Sequence, residues 1–254
     1  MTKIPKDKIV RALKDQQEIF GDDLFEPKES LAKTPQLIYS EKKSDAEKIV
    51  VKEPAIEKEH LFQDSGESWQ SAKSLEELNR AICDCTKCVL HKNRNKFVFG
   101  SGSPNADVMV IGEGPGADED AQGLPFVGRA GKLLTDILKA IKFERDEVYI
   151  ANIVKCRPPA NRTPLPEEME TCIPYLKKQI ELIKPKLILC LGLTAAKGLL
   201  KRKESLGNLR GKVFEYQGIS VMVTFHPAAL LRNPNWKRDC WEDVQKFRKL
   251  YDEI

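Results

Sequence analysis

Between residues 108 and 254 the spacing of apolar positions switches repeatedly between a strand period and a helix period. VMVIG (108–112) is a short continuous apolar run stopped by glycine, the pattern of a strand buried on both faces. AGKLLTDILKAI (130–141) places its apolar residues on one helical stripe. VYIANIV (148–154), LILCLG (187–192) and ISVMVTF (219–225) read as three further strands. Between them lie a long helix opening on proline, PEEMETCIPYLKKQIELI (166–183), and a helix from Thr194; a closing helix falls near 239–252. Strand and helix in alternation predict an α/β protein with a mostly parallel four-stranded sheet and helices on both faces. Ligands of such sheets bind at the carboxyl ends of the strands. The chemically unusual residues sit there: GEGPG after the first strand, Asn152 on the second, His226 after the fourth.

Upstream the periodicity fades. SLEEL is a capping-box pattern, with Ser74 as N-cap and Glu77 reaching back, and it opens a short helix. Residues 5–20 carry Ile9, Val10, Leu13 and Phe20 at roughly helical spacing, ending at Gly21. Residues 22–72 are charged, proline-broken and poor in aromatics, which predicts a disordered linker. The division is therefore a tail, 1–72, and a globular domain, 73–254. Charge divides at the same place: 12 Lys/Arg against 15 Asp/Glu in the tail, 30 against 23 in the body. A basic body suits a polyanion such as DNA, and the tail suits docking of a protein partner, dispensable for chemistry. No apolar run is long enough to span a membrane, and MTKIPKDKIV lacks the apolar stretch of a secretory signal. A cytoplasmic, nucleoid-associated monomer is the expectation.

Seven cysteines in such a compartment point to metal ligation or burial rather than to disulfides. Four follow the pattern C-x2-C (Cys85, Cys88) and C-x15-C (Cys156, Cys172). Four thiolates suit tetrahedral zinc or a four-iron cluster, and spacing does not choose between them. Burial of Cys156 and Cys172 as core residues is the alternative. Cys83 is a competing ligand, Cys190 reads as core, and Cys240 has no evident partner.

Three further segments, GEGPGADEDAQGLPFVGRAG (112–131), NIVKCRPPANRTP (152–164) and HPAALLRNP (226–234), complete the picture. With the four cysteines, in this order, they resemble the type-4 uracil-DNA glycosylases of the uracil-DNA glycosylase superfamily, over roughly residues 75–254. The resemblance implies a three-layer α/β/α sandwich, a structural [4Fe–4S] cluster on Cys85, Cys88, Cys156 and Cys172, and hydrolysis of the N-glycosidic bond of deoxyuridine in single- and double-stranded DNA. It leaves an abasic site without strand cleavage.

The implied roles make chemical sense. A base must leave the duplex to be attacked, and is then read on its edge. Phe126 is the stacking platform, and Asn152 offers one donor and one acceptor to uracil O4 and N3–H. An imidazole N–H of His226 stabilises the negative charge developing on O2. Backbone amides of the GEGPG turn, from Gly112 to Gly114, supply fixed donors. Leu230 or Leu231 wedges into the gap left by the base, and Arg232 contacts phosphate. Core packing is the other reading for Phe126 and for the two leucines. In the best-known branch of the superfamily an aspartate positions the water where this chain has Gly114, and a tyrosine excludes thymine where it has Gly116. The resemblance moves the steric role to Glu119, makes Glu113 the carboxylate nearest the water, and places Asn161 beside the site. A sister group bonds covalently to uracil through a histidine in a basic insertion; no such insertion or histidine lies between Asn152 and Cys172. The rival functional readings are a non-catalytic iron–sulfur DNA-binding module tethered to replication proteins, and an electron carrier.

Overall fold

The computed structural model describes residues 67–254; the helix expected over 5–20 and nearly all of the expected linker lie outside the described residues. Six strands form one sheet: β1 Ser101–Gly102, β2 Val108–Gly112, β3 Tyr149–Asn152, β4 Leu187–Leu191, β5 Val213–Tyr216 and β6 Ile219–Thr224. Their order across the sheet is β1-β3-β2-β4-β6-β5. The four expected strands form the centre and run parallel, β3 and β4 flanking β2, and β6 beside β4. The expected count of four is corrected by two antiparallel edges, β1 on β3 and β5 on β6. Neither edge carries a continuous apolar run. β1 has two residues, and β5 alternates exposed and buried positions as an edge strand does.

Alternation along the central strands divides two cores. Met109, Ile111, Ile188, Cys190 and Val221 face one side. There they meet α1 (Leu75–Ile82), α4 (Pro166–Ile183) and α5 (Gly192–Leu200). Val108, Val110, Leu187, Leu189 and Met222 face the other, covered by α3 (Arg129–Ala140) and α8 (Lys237–Asp252). Such helix–sheet–helix layering removes both faces of the parallel strands from water, which is why those strands are apolar throughout. Shorter helices complete the chain: α2 (Ala117–Gln122), α6 (Leu206–Leu209) and α7 (Pro227–Arg232).

At α1 the Ser74 side chain accepts from the Glu77 N–H at 3.2 Å, as the capping pattern predicts. Glu77 reaches back one residue further than expected, accepting from the Lys73 N–H. Packing also starts earlier than Ser74. Trp69, in a 3-10 turn at Ser68–Ser71, is buried edge-on against Tyr175 of α4, with ring centroids 5.0 Å apart. A lone aromatic among polar residues has no periodicity, so the pattern alone assigned it to the tail.

Candidate active site

The carboxyl ends of β2, β3 and β6 open into a cavity of about 390 Å³. Glu113, Gly114, Gly116, Glu119, Phe126, Asn152, Asn161, His226 and Arg232, drawn from segments more than a hundred residues apart, all line it. The register of the sheet explains the convergence. β2 and β3 pair in parallel until Gly112 stands opposite Asn152, and backbone hydrogen bonds from Ile153 to Gly112 and from Val154 to Glu113 carry the two chains on together into the loops beside the cavity. Gly112 is not among the lining residues but packs behind two of them: a Cβ there would stand 2.4 Å from Asn152 Oδ1 and 2.6 Å from Phe126 Cζ. At Gly114 a Cβ would fall 2.7 Å from the Val154 side chain, so the turn hugs the strand because it carries none.

Asn152 is only 2% exposed, and its Oδ1 is buried without a hydrogen-bond partner among the described residues. A buried, unmet amide oxygen costs about 1–3 kcal/mol, and such a group is commonly reserved for a ligand. Phe126 adopts φ +52°, the left-handed region that an aromatic residue rarely occupies. Hydrogen bonds on both sides hold it there. Arg145 Nη2 donates to the Pro125 carbonyl at 2.7 Å, and Glu119 Oε1 accepts from the Val127 and Gly128 N–H groups at 2.9 and 3.0 Å. Gly131 completes the fit, since a Cβ there would collide with the Phe126 carbonyl.

Glu119 Oε2 accepts from the Gly116 N–H at 3.1 Å, so this one carboxylate fastens the GEGPG turn to the PFVG turn. Buried Asp120, next to it on α2, accepts from the backbone and side-chain N–H groups of Asn95. Glu113 accepts from the Thr194 hydroxyl of α5. Asn161 lies in the rim loop with Ala160, both at positive φ, and its Oδ1 accepts from Arg157 Nε at 2.8 Å. Arg162 and Thr163 line the same wall. Arg162 forks onto Glu168 of α4 at 2.6 and 2.8 Å, tying the rim to that helix. Arg145, Thr194 and Arg162 escaped the sequence reading because each acts on a partner or a site remote in the chain, and no motif marks such a pair.

His226 caps α7, its Nδ1 accepting from the Ala228 N–H at 3.2 Å. That bond makes Nε2 the protonated nitrogen. Its ring lies 5.5 Å from that of Phe126, tilted by 32°. Burial, with a smaller push from the Arg232 charge, lowers its pKa to about 4. A neutral imidazole with a fixed N–H is therefore the resting form.

α7 separates the two leucines that the sequence left paired. Leu230 is fully buried in the second core, which excludes it as a wedge; Leu231 is 39% exposed beside Arg232. A six-residue helix turns adjacent side chains about 100° apart, and only its docking onto the sheet decides which one faces out.

Cys85 and Cys88 follow α1, Cys156 follows β3, and Cys172 lies on α4. All four pack at one margin of the first core. Burial raises the Cys88 and Cys156 thiols and lifts Cys172 to about 12, and the charges of neighbouring members of the set push the same way. Arg94 Nη1 donates to Cys156 Sγ at 3.3 Å, and the Tyr175 hydroxyl lies 3.3 Å from Cys85 Sγ. Among the described residues no three His, Cys, Asp or Glu side chains are grouped as a site for a single metal ion. Cys190 and Cys240 are buried in the two cores, and Cys83 contacts the Arg80 carbonyl of its own helix.

A pH prediction follows from His226. Its native pKa of about 4 lies below the ordinary 6.5. The unfolded chain therefore takes up a proton first, and this residue's contribution to stability is complete above 6.5 and fades as pH falls towards 4. An NMR titration of the imidazole should give a midpoint near 4, with no change of its charge state from pH 6 to 8. A midpoint near 6.5 would contradict the buried, neutral cap.

The Uracil DNA glycosylase superfamily model matches residues 99–245. Three curated relatives named type-4 uracil-DNA glycosylase align over most of both chains. That of Pyrobaculum aerophilum is 46% identical over 183 residues, covering 68% of this chain and 92% of its own. That of Archaeoglobus fulgidus is 42% identical, covering 70% and 94%. That of Thermotoga maritima is 44% identical, covering 69% and 94%. With its cavity assembled from the same motifs that carried the resemblance, the chain belongs to the uracil-DNA glycosylase superfamily, within it to the type-4 enzymes.

Proposed function

We propose that the chain hydrolyses the N-glycosidic bond of deoxyuridine in DNA, releasing uracil and leaving an abasic site. The observation that carries this reading is Asn152, whose buried amide oxygen has no partner among the described residues and which lines a cavity walled by a fixed aromatic ring and a neutral imidazole. A module that merely bound DNA would have no use for that combination.

The flipped uracil lies against Phe126, with its N3–H donating to Asn152 Oδ1 and its O4 accepting from Asn152 Nδ2. As the bond from C1′ to N1 breaks, the electron pair moves into the ring, and His226 Nε2–H holds the charge gathering on O2. Being neutral, His226 donates a hydrogen bond without having to surrender a proton. A water adds its oxygen to C1′, and its proton leaves to solvent or to the departing uracil. Thr194 holds one oxygen of Glu113, leaving the other as the acceptor that positions this water; Asn161 lies at the rim beside it. Glu119 sets the width of the cavity through its three backbone hydrogen bonds, and so bears on exclusion of the thymine methyl. Leu231 enters the gap in the stack and Arg232 contacts phosphate, on a body carrying 30 basic against 23 acidic residues.

Cys85, Cys88, Cys156 and Cys172 fit a [4Fe–4S] cluster. Lys155 is fully buried, and among the described residues its ammonium donates to Gln179 Oε1 at 2.6 Å and to no carboxylate. Burial lowers its pKa to about 8, and the Cys172 charge opposes that shift. A buried cation beside Cys172 calls for an anionic group, and Arg94 and Tyr175 offer the hydrogen bonds that cluster sulfurs receive. When bound, such a cluster crosslinks the start of the domain to both ends of the 157–171 segment, the segment that supplies the cavity's rim. The monomeric state and a protein partner for residues 1–66 belong to the same proposal.

Asn152 provides the test of base recognition. Cytosine reverses the donor and acceptor that uracil presents, and a mismatched buried edge can cost on the order of 10⁴-fold in rate. Asn152→Asp should lose most uracil excision and gain weak release of cytosine; Asn152→Ala should lose the first without the second. Single-turnover excision on matched oligonucleotides measures both, and undiminished uracil excision by both variants would contradict the assignment. For the metal, Cys156→Ser should lose bound iron and melt at lower temperature than the parent protein. Stoichiometric zinc without iron in the parent protein would overturn the cluster.

A further inference from the structure

Trp236 stands out among the exposed apolar residues. It ends the 3-10 turn Pro234–Trp236 that links α7 to α8, and 41% of its surface faces solvent. It is nevertheless held rigidly. Its ring stacks on Phe225 with centroids 5.2 Å apart and planes 22° off parallel. The Arg210 guanidinium lies 5.3 Å over the same Phe225 ring. Arg210 is itself anchored, its Nε donating to buried Asp243 at 3.0 Å and its Nη2 to the Asp239 carbonyl. One side of Trp236 is thus packed against the residue that directly precedes His226, while the other is left open.

Its surroundings are basic. Arg232, which lines the cavity, lies four residues before it at the end of α7, and Lys237 and Arg238 follow it, Arg238 within 4.0 Å of exposed Glu242. The acid next in line, Asp239, is engaged by Arg210 at 3.8 Å. An exposed, immobilised aromatic face amid cations is the design by which proteins hold single-stranded nucleic acid. Bases stack on the ring whatever their identity, and the cations track the phosphates. Resting on the proposed excision of uracil, we propose that Trp236 is a second stacking platform. It takes an unpaired base of the uracil-bearing strand close to the flipped nucleotide, and it acts when that base is free of a complementary strand. Phe126 receives the uracil; Trp236 holds its neighbour and so fixes the strand across α7.

The test uses the whole protein and fluorescent single-stranded oligonucleotides with one non-hydrolysable 2′-fluoro-deoxyuridine. One flanking nucleotide at a time, on either side, is replaced by an abasic spacer, and affinity is read by anisotropy. At one position the spacer should weaken binding to the parent protein by on the order of tenfold. The same spacer should add nothing to the loss already caused by Trp236→Ala. Trp236→Phe, which retains a ring on Phe225, should recover part of the affinity, and Trp236→Ala should impair binding of single strands more than of duplex. Spacers that affect parent and Trp236→Ala alike at every position would overturn the proposal, as would equal losses on single strand and duplex, which mark a ring that merely supports His226. Because binding is read without cleavage, failure of uracil excision by the parent protein is detected separately.

Discussion

The parallel register of β2 and β3 sets Gly112 opposite Asn152, and the Asn152 amide and the Phe126 ring can pack against Gly112 because no Cβ occupies that point. Two of the three groups proposed to touch the base depend on this absence. The Asn152 amide and the Phe126 ring edge approach the same empty volume, from a strand and from a strained turn. Everything around it maintains that approach. Arg145 and Glu119 pin the backbone on either side of Phe126, Gly131 admits its carbonyl, and Thr194 draws Glu113 towards α5. The orphaned amide and the left-handed aromatic are each unfavourable by an amount of order 1–3 kcal/mol. The two cores on which the strands rest supply the stability that offsets them.

A second dependence runs from the cysteines to the rim. Cys156 and Cys172 bracket the loop carrying Asn161, Arg162 and Thr163, and α4 bears both Cys172 and Glu168, the partner of Arg162. One turn of helix therefore separates the rim's ion pair from a proposed cluster ligand. The proposed metal group, bound at that place, would act on the cavity without touching the substrate, by fixing where the loop begins and ends. His226 belongs to a different part of the fold. It is set by β6 and the cap of α7, with Phe225, Arg210 and Trp236 stacked behind it.

Much of this was legible in the sequence, for physical reasons. Doubly buried parallel strands need continuous apolar runs, so β2, β3, β4 and β6 announce themselves, and the motifs fall at their carboxyl ends. The edge strands do not, since two residues of β1 and the half-exposed VFEY carry no comparable signal. GEGPG, PFVG, Asn152 and HPAALL are local motifs and were found. The hydrogen bonds by which Glu119 fastens two of them together, the arginine that fixes Phe126 and the ion pair at the rim join residues only 3 to 20 apart, but they follow from how the loops fold and no motif marks them. The division between Leu230 and Leu231 is of the same kind: both are leucine, and burial against the sheet alone tells them apart. The buried Lys155 is a residue that composition would have placed on the surface; Gln179 and the nearby Cys172 are what it meets inside.

The central claim, that the missing Cβ at residue 112 lets the Asn152 amide and the Phe126 ring take their places in the base pocket, is open to a direct measurement: single-turnover uracil excision by Gly112→Ala, with iron content and melting temperature recorded on the same preparation. One methyl group there should displace the Asn152 amide and the Phe126 edge together. The predicted result is a loss of excision of at least a hundredfold, in the range by which misplacing a reacting group by about an ångström lowers a rate, with iron and melting temperature close to those of the parent protein. A folded, iron-loaded Gly112→Ala that excises uracil at the parental rate would contradict the account.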